Sequence, residues 1–255
     1  MKRSLFSIVF LAFFVFNSIA EAQKRRLPPK TFKNSVAAPA ARETSNTAFV
    51  VDERLAVLRV APSLFAAPVQ RMRTGRLVLI SGSKESDGVT FYRVSAPPNN
   101  FGWVQSDAVF GKYKRGDDER LARLVQATDG FEQVERAALF LENYPNSTLR
   151  PAILLLLGDL IEEHSTKMSL DAAKKLDRRE MAATAAPLHS FYLNYVSLDR
   201  YRKLGIDFLF NSNTKTFHYN GATWKEIVEK FPKSSEAAEA QKRLDSLKEK
   251  MERVK

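Results

Sequence analysis

Leu55-Ala56-Val57-Leu58-Arg59-Val60-Ala61-Pro62-Ser63 opens the segment that decides the fold, and Phe101-Gly102-Trp103-Val104-Gln105-Ser106-Asp107-Ala108-Val109 closes it. Between them stand Pro68-Val69, Gly75 and Phe91-Tyr92-Arg93-Val94. Short runs alternating apolar and polar predict strands at Leu55–Val60, Val69–Met72, Leu77–Ile80, Phe91–Val94 and Gly102–Val104. Turn chemistry separates them, at Pro62-Ser63, Ser81-Gly82-Ser83, Asp87-Gly88 and Pro97-Pro98-Asn99-Asn100. Several short strands at close spacing predict a small all-β barrel over residues 48–112, an architecture suited to binding.

Upstream, Met1-Lys2-Arg3, the apolar run Leu5–Phe16 and Ala20-Glu21-Ala22 read as a secretory signal peptide over residues 1–22, with the mature chain starting near Gln23. The run is shorter than the roughly 20 residues a membrane-spanning helix needs, and no transmembrane segment is expected in the mature chain. Lys24-Arg25-Arg26 directly after the cleavage site leaves an uncleaved anchor as the alternative. The sequence has no cysteine, which excludes disulfides, thiolate metal sites and a cysteine nucleophile. A secreted protein, periplasmic or associated with the cell envelope, is the expectation.

The net charge of +11 suggests a nucleic-acid partner until it is divided along the chain. Residues 23–47 carry +5, residues 48–112 carry +3 and residues 113–255 only +2. Basicity is therefore densest in a Pro- and Ala-rich stretch, 23–47, that reads as a disordered linker, and no nucleic-acid partner is expected.

From Gly116-Asp117-Asp118 onward the apolar period changes from two to between three and four, and residues 113–255 read as helical. Helices are expected after Gly116 with Gly130 as a stop, over Phe131–Asn143, after Ser147 as a cap, over Ser169–Met181, from Pro187 to Lys203, over Ala222–Lys230 and from Ser235. Ile153-Leu154-Leu155-Leu156-Leu157 is apolar on every side, so its helix should lie at the centre. Phe208-Leu209-Phe210 and Thr216-Phe217-His218-Tyr219 predict a β-hairpin inserted at about 207–219. Phe140-Leu141-Glu142-Asn143-Tyr144-Pro145-Asn146-Ser147 also matches Ile227-Val228-Glu229-Lys230-Phe231-Pro232-Lys233-Ser234 at an offset of 87 residues, one helix-turn-helix unit used twice.

Two resemblances sharpen these expectations. Val57-Leu58-Arg59, Pro62-Ser63, Pro68-Val69, Gly75, Phe91-Tyr92-Arg93-Val94 and Gly102-Trp103-Val104 follow one another as in a bacterial SH3-like (SH3b) domain, which the segment resembles. Ala61 and the long Pro97-Pro98-Asn99-Asn100 turn depart from that pattern. The aromatic-Pro punctuation at Tyr144-Pro145 and Phe231-Pro232 is similar to that of tetratricopeptide-like repeats, although an 87-residue offset is no multiple of a 34-residue repeat. Together they imply an α+β protein, an SH3-like barrel followed by a tetratricopeptide-like helical domain.

An SH3-type fold uses aromatic-lined grooves for extended peptides, so Phe91, Tyr92, Phe101 and Trp103 are the candidate ligand residues. Core packing is the competing role for Trp103, and one ring of the Phe91-Tyr92 pair is expected outside. Arg59 is read as structural or as the partner of a carboxylate. His164 and the acidic pair Glu162-Glu163 are read as helix-end groups, and His189 and His218 stand at no metal-ligand spacing. No nucleophile elbow or phosphate loop is present, and no catalytic residue, metal or cofactor is expected. The expected function is that of a non-enzymatic envelope scaffold whose barrel binds a peptidoglycan peptide or an envelope protein while the helices hold a protein partner. A glycan-cleaving enzyme with scattered carboxylates and a purely structural spacer are the alternatives.

Overall fold

The computed structural model describes residues 45–176 and 188–252, and those from Glu43 on belong to one compact unit. The expected signal peptide, nearly all of the linker, the end of the helix drawn to Met181, its successor's start at Pro187 and the side chain of His189 lie outside the described residues. The fold is mixed α and β.

Seven strands, β1 (Thr47–Val50), β2 (Val57–Arg59), β3 (Pro68–Arg71), β4 (Leu77–Ser86), β5 (Val89–Ala96), β6 (Asn100–Gln105) and β7 (Val109–Gly111), form one antiparallel sheet in the order β3-β2-β6-β5-β4-β1-β7. All five predicted strands are present. The short β1 and β7 were not expected. A turn was expected at Ser81-Gly82-Ser83, whereas β4 runs through it and the register shifts between Ile80 and Gly82. Gly82 there serves a bulge, which bends a strand without ending it. The real turn lies at Asp87-Gly88, where both residues have positive φ, as a two-residue hairpin loop of type I′ requires.

The expected closed barrel is an open sheet. One of its hydrogen-bonded ends is β3 and the other is β7. Between those ends runs the turn after β3, with Met72 N–H donating to Ala56 C=O, Gly75 N–H to Val50 C=O and Val50 N–H to Arg76 C=O. The Gly111 N–H at the β7 end donates instead to the Asp117 carboxylate at 3.1 Å. Inward residues from almost every strand nevertheless share one core, among them Val50, Leu58, Val78, Tyr92, Val94 and Val104. Gly102 is required there: a Cβ at this position would meet Arg59 O at 2.5 Å and Leu58 Cγ at 2.9 Å.

The helical part begins with α1 (Asp117–Gln126), α2 (Gly130–Asn143) and α3 (Arg150–Lys175). Gly130 opens α2 and does not simply stop α1. The helix expected to begin at Ser169 is the second half of α3, because the buried stripe Ile153, Leu157, Ile161, Ser165, Met168, Ala172 keeps its period of three to four without a break. Ser147 does not occupy the cap position; its hydroxyl accepts from Leu149 N–H at 3.3 Å and donates to Asp118 at 2.8 Å. After α3 come α4 (Leu188–Leu193), α5 (Asp199–Arg202), the predicted hairpin as β8 (Phe208–Asn211) and β9 (Thr216–Tyr219), then α6 (Ala222–Lys230) and α7 (Ala237–Glu252). Central α3 packs against α2, β9 and α6. It passes so close to α6 that a Cβ on Gly158 would lie 2.3 Å from Trp224 Nε1.

The 87-residue offset holds in the backbone. Tyr144 N–H donates to Phe140 C=O, Ser147 N–H to Tyr144 C=O and Arg150 N–H to Ser147 C=O; Phe231, Ser234 and Ala237 repeat the three bonds to Ile227, Phe231 and Ser234. Phe140 and Ile227 are both fully buried at the equivalent position.

Sheet and helices share a second core. Phe49, Val51 and Phe110 leave the inner face of the sheet and cluster with Leu121, Val134 and Phe140. Tyr144 completes the contact, its hydroxyl donating to Gly111 C=O at 3.1 Å and its ring 6.1 Å from that of Phe49.

Candidate functional site

Residues directly opposite each other in an antiparallel sheet share a face, and neighbours along a strand alternate between faces. Arg59 on β2 lies opposite Trp103 on β6, which lies opposite Arg93 on β5, so one row sets an indole between two arginine positions. The adjoining row runs Leu79, Ser95, Phe101 across β4, β5 and β6 on the same outer face. Phe101 is 67% exposed and Leu79 is 53% exposed, while Trp103 is half-buried. At the β1 end this face is covered by helices through Phe49, and from β4 to β6 it carries the exposed apolar residues Leu77, Leu79 and Phe101.

Arg59 is held by one bond, its guanidinium donating to Ala66 C=O at 2.8 Å, and its Nε is buried with no partner. Burying a guanidinium nitrogen without an acceptor costs free energy.

Of the four candidate ligand residues, the structure joins Phe101 and Trp103 on the outer face. Phe91 lies on that face by register, between Lys84 and Gln105, but is fully buried. Tyr92 points the other way, 5% exposed in the sheet core with its ring 5.4 Å from that of Tyr113. The expectation that one ring of this pair lies outside is therefore corrected, because β5 is covered on both faces at this point. Leu79 and Arg93 were missed. Nothing local marks them, since their place beside Phe101 and Trp103 comes from strand register.

A second polar cluster ties the hairpin to α3. The Glu162 carboxylate accepts from Tyr219 N–H at 2.8 Å and Lys250 Nζ at 2.7 Å, and pairs with His218 Nδ1 at 3.0 Å. His218 Nε2 lies 3.0 Å from the Thr216 hydroxyl, which lies 2.6 Å from that of Thr214. Burial pushes the Glu162 carboxyl upward, but the bonds from His218, Lys250 and Tyr219 outweigh it and bring the pKa down to about 2. Reading Glu162 as a helix-end group is thus corrected: it lies inside α3 and anchors β9. Its hydroxyl–imidazole–carboxylate order resembles that of an acyl-transfer triad. Two cavities, one at Lys175, Tyr195 and Val196 and one at Ser147, Arg150 and Phe231, have no residue of this cluster in their lining.

His164 is also interior to α3. It is buried, its Nδ1 lies 3.0 Å from the Tyr201 hydroxyl, and burial lowers its pKa, which favours the neutral ring over the dipole-compensating cation expected at a helix end. Among the described residues no group of three or more His, Asp or Glu side chains is placed to hold a metal ion, and no helix is long and apolar enough to cross a membrane.

Comparison with protein-family models, with curated proteins and with solved structures found no match.

Proposed function

We propose that this chain is a secreted, non-enzymatic binding protein of the cell envelope, with an SH3-like sheet that takes a peptide and a tetratricopeptide-like helical part that holds a protein partner. The observation that carries this reading is the outer face around Trp103, where exposed Phe101 and Leu79 adjoin a row of two arginines around an indole. Exposed aromatic and aliphatic side chains beside guanidinium groups are the composition of binding surfaces. Support for the SH3-like assignment lies in the order of short strands and in Gly102-Trp103-Val104, which puts a glycine under β2, an indole outside and a valine in the core. The tetratricopeptide-like assignment is supported by the repeated turn at Tyr144-Pro145 and Phe231-Pro232.

The test is co-sedimentation of the chain from Gln23 to Lys255 with purified peptidoglycan sacculi, with capture from envelope extract in parallel and Phe101→Ala as the control. Phe101 is the right position because its ring is exposed, whereas Tyr92→Ala would remove a core ring. Retention that falls with Phe101→Ala supports the reading. Absence of retention in both arms, or retention indifferent to the substitution, overturns it.

A further inference from the structure

We infer that the outer face of the sheet recognises an acidic peptide, with carboxylates seated on Arg59 and Arg93 and an apolar side chain between them against Trp103 and Phe101. This rests on the proposed binding function and adds the chemistry of the ligand.

Charge carries the argument. Following the register from strand to strand, the positions that share this face with Trp103 include Arg59 and Arg71 on β2 and β3, Lys84 on β4 and Arg93 on β5. No aspartate or glutamate occupies a paired strand position on the same face. Glu85 follows Lys84 on β4 and so faces the other way, and the other four acids of this part of the chain are engaged elsewhere. Asp52 binds Arg54 and approaches Arg136, Glu53 accepts from Thr74 N–H, Asp87 accepts from Ser63 and Leu64, and Asp107 lies near Arg120. The Arg59 and Arg93 side chains make no ion pair among the described residues, and Arg93 is exposed. A guanidinium presents a planar fork that suits a carboxylate, and the apolar floor around it lowers the water content of the contact.

Geometry limits the ligand. Arg59 and Arg93 stand on the two strands flanking β6, roughly 10 Å apart at the backbone by ordinary strand spacing. In an extended peptide only every second side chain faces the sheet, so two acidic residues with three residues between them face it together and span about 13 Å, within reach of two long arginine side chains. The middle of the three intervening residues then lies over Trp103. The chain's own N-terminal stretch is a poor occupant, because residues 23–47 carry +5 and would be repelled.

The test uses octapeptides with two glutamates separated by three residues and a phenylalanine midway between them, beside copies with Gln or Lys in place of Glu. Binding to the chain from Gln23 to Lys255 is read by the fluorescence of Trp103, with Trp103→Phe as the blank because Trp224 is buried in the helical part. The Glu peptides bind about tenfold more tightly than the Gln copies, the Lys copies do not bind, and added salt weakens the complex. Arg93→Gln lowers affinity for the Glu peptides about tenfold and leaves the Gln copies unchanged. Arg59→Gln does the same, and the exposed Arg93 keeps the test valid if loss of the Ala66 bond disturbs the fold. Equal binding of Glu and Gln peptides, no binding of any, or full affinity in Arg93→Gln overturns the inference. If Phe101-dependent retention on sacculi persists in those cases, only the acidic ligand is refuted; if it too is absent, the binding reading falls with it.

Discussion

Phe101 and Tyr92 are aromatic residues of one sheet with opposite energetics. Phe101→Ala takes an exposed ring from the surface and should shift stability by less than about 0.5 kcal/mol. Tyr92→Ala opens a cavity in the sheet core and should cost about 3–5 kcal/mol, visible as a lower midpoint in urea unfolding. Similar midpoints for the two variants would refute this placement. Gly158 makes a comparable point by crowding: Gly158→Ala drives a methyl into the Trp224 indole and should destabilise by about 1–3 kcal/mol. Two titrating groups act in the same direction on acidification. His164 has its pKa lowered by burial, so its contribution is complete above about 6.5 and fades as pH falls through its folded value. Glu162 titrates at about 2 in the folded chain against 4.5 in the unfolded one, so its contribution is complete above the unfolded value and is lost as pH falls through the folded one. Asp117, whose pKa is raised by burial, works in the opposite sense, favouring the fold as pH drops through its raised value. The gap in thermal midpoint between Glu162→Gln and the parent, measured from pH 7 to pH 3, should stay constant above about 4.5 and narrow below it without closing at pH 3. A gap constant over the whole range would refute the role given to the carboxylate.

At the scale of elements, the hairpin β8–β9 is too short to stand alone and is held by what it touches. Glu162 takes the Tyr219 N–H and meets His218, Ser169 Oγ accepts the Phe217 N–H at 2.7 Å, and the Asn211 amide donates to Lys250 C=O at 2.9 Å. Glu162→Ala should therefore raise hydrogen exchange at Phe217 to Tyr219 by tenfold or more while the amides of β5 stay protected. Uniform acceleration across both sheets would mean that the carboxylate supports the whole fold and not the hairpin. The uninterrupted α3 explains how one residue can matter so locally, because a single 26-residue rod carries His164, Glu162 and Gly158 to three different neighbours.

Over the whole molecule, the sheet is held to the helices by buried and half-buried contacts. Phe49 and Phe110 are buried in the helical core, Tyr144 binds Gly111, and Arg136 reaches the Glu132 carboxylate at 2.5 Å with Asp52, two residues after β1, 3.5 Å away. The chain from Gln23 should accordingly unfold in one calorimetric transition. Residues 48–112 alone, which would leave Phe49 and Phe110 without their cover, should fail to give a cooperative transition. Two separate transitions, or a stable isolated segment, would contradict this coupling. Tyr144→Phe, which deletes only the bond to Gly111, should cost about 1 kcal/mol.

By itself the sequence determined the elements whose signal is local. The five main strands, the Asp87-Gly88 turn, the hairpin near 207–219, the helix Ala222–Lys230 and the duplicated aromatic-Pro turn follow from periodicity and turn chemistry, which act over a few residues. Tertiary structure alone decided that the sheet stays open, that Gly82 bends a strand instead of ending it, and that Glu162 and His164 lie inside one helix. It also decided which aromatic rings face outward. Alternation separates Phe91 from Tyr92 but does not say that both faces of β5 are covered there, and no local pattern sets Arg93 and Arg59 on either side of Trp103. Cross-strand register joins residues 10 to 44 positions apart, and the free energy that selects it comes from burying whole faces, a property that no short stretch of chain possesses.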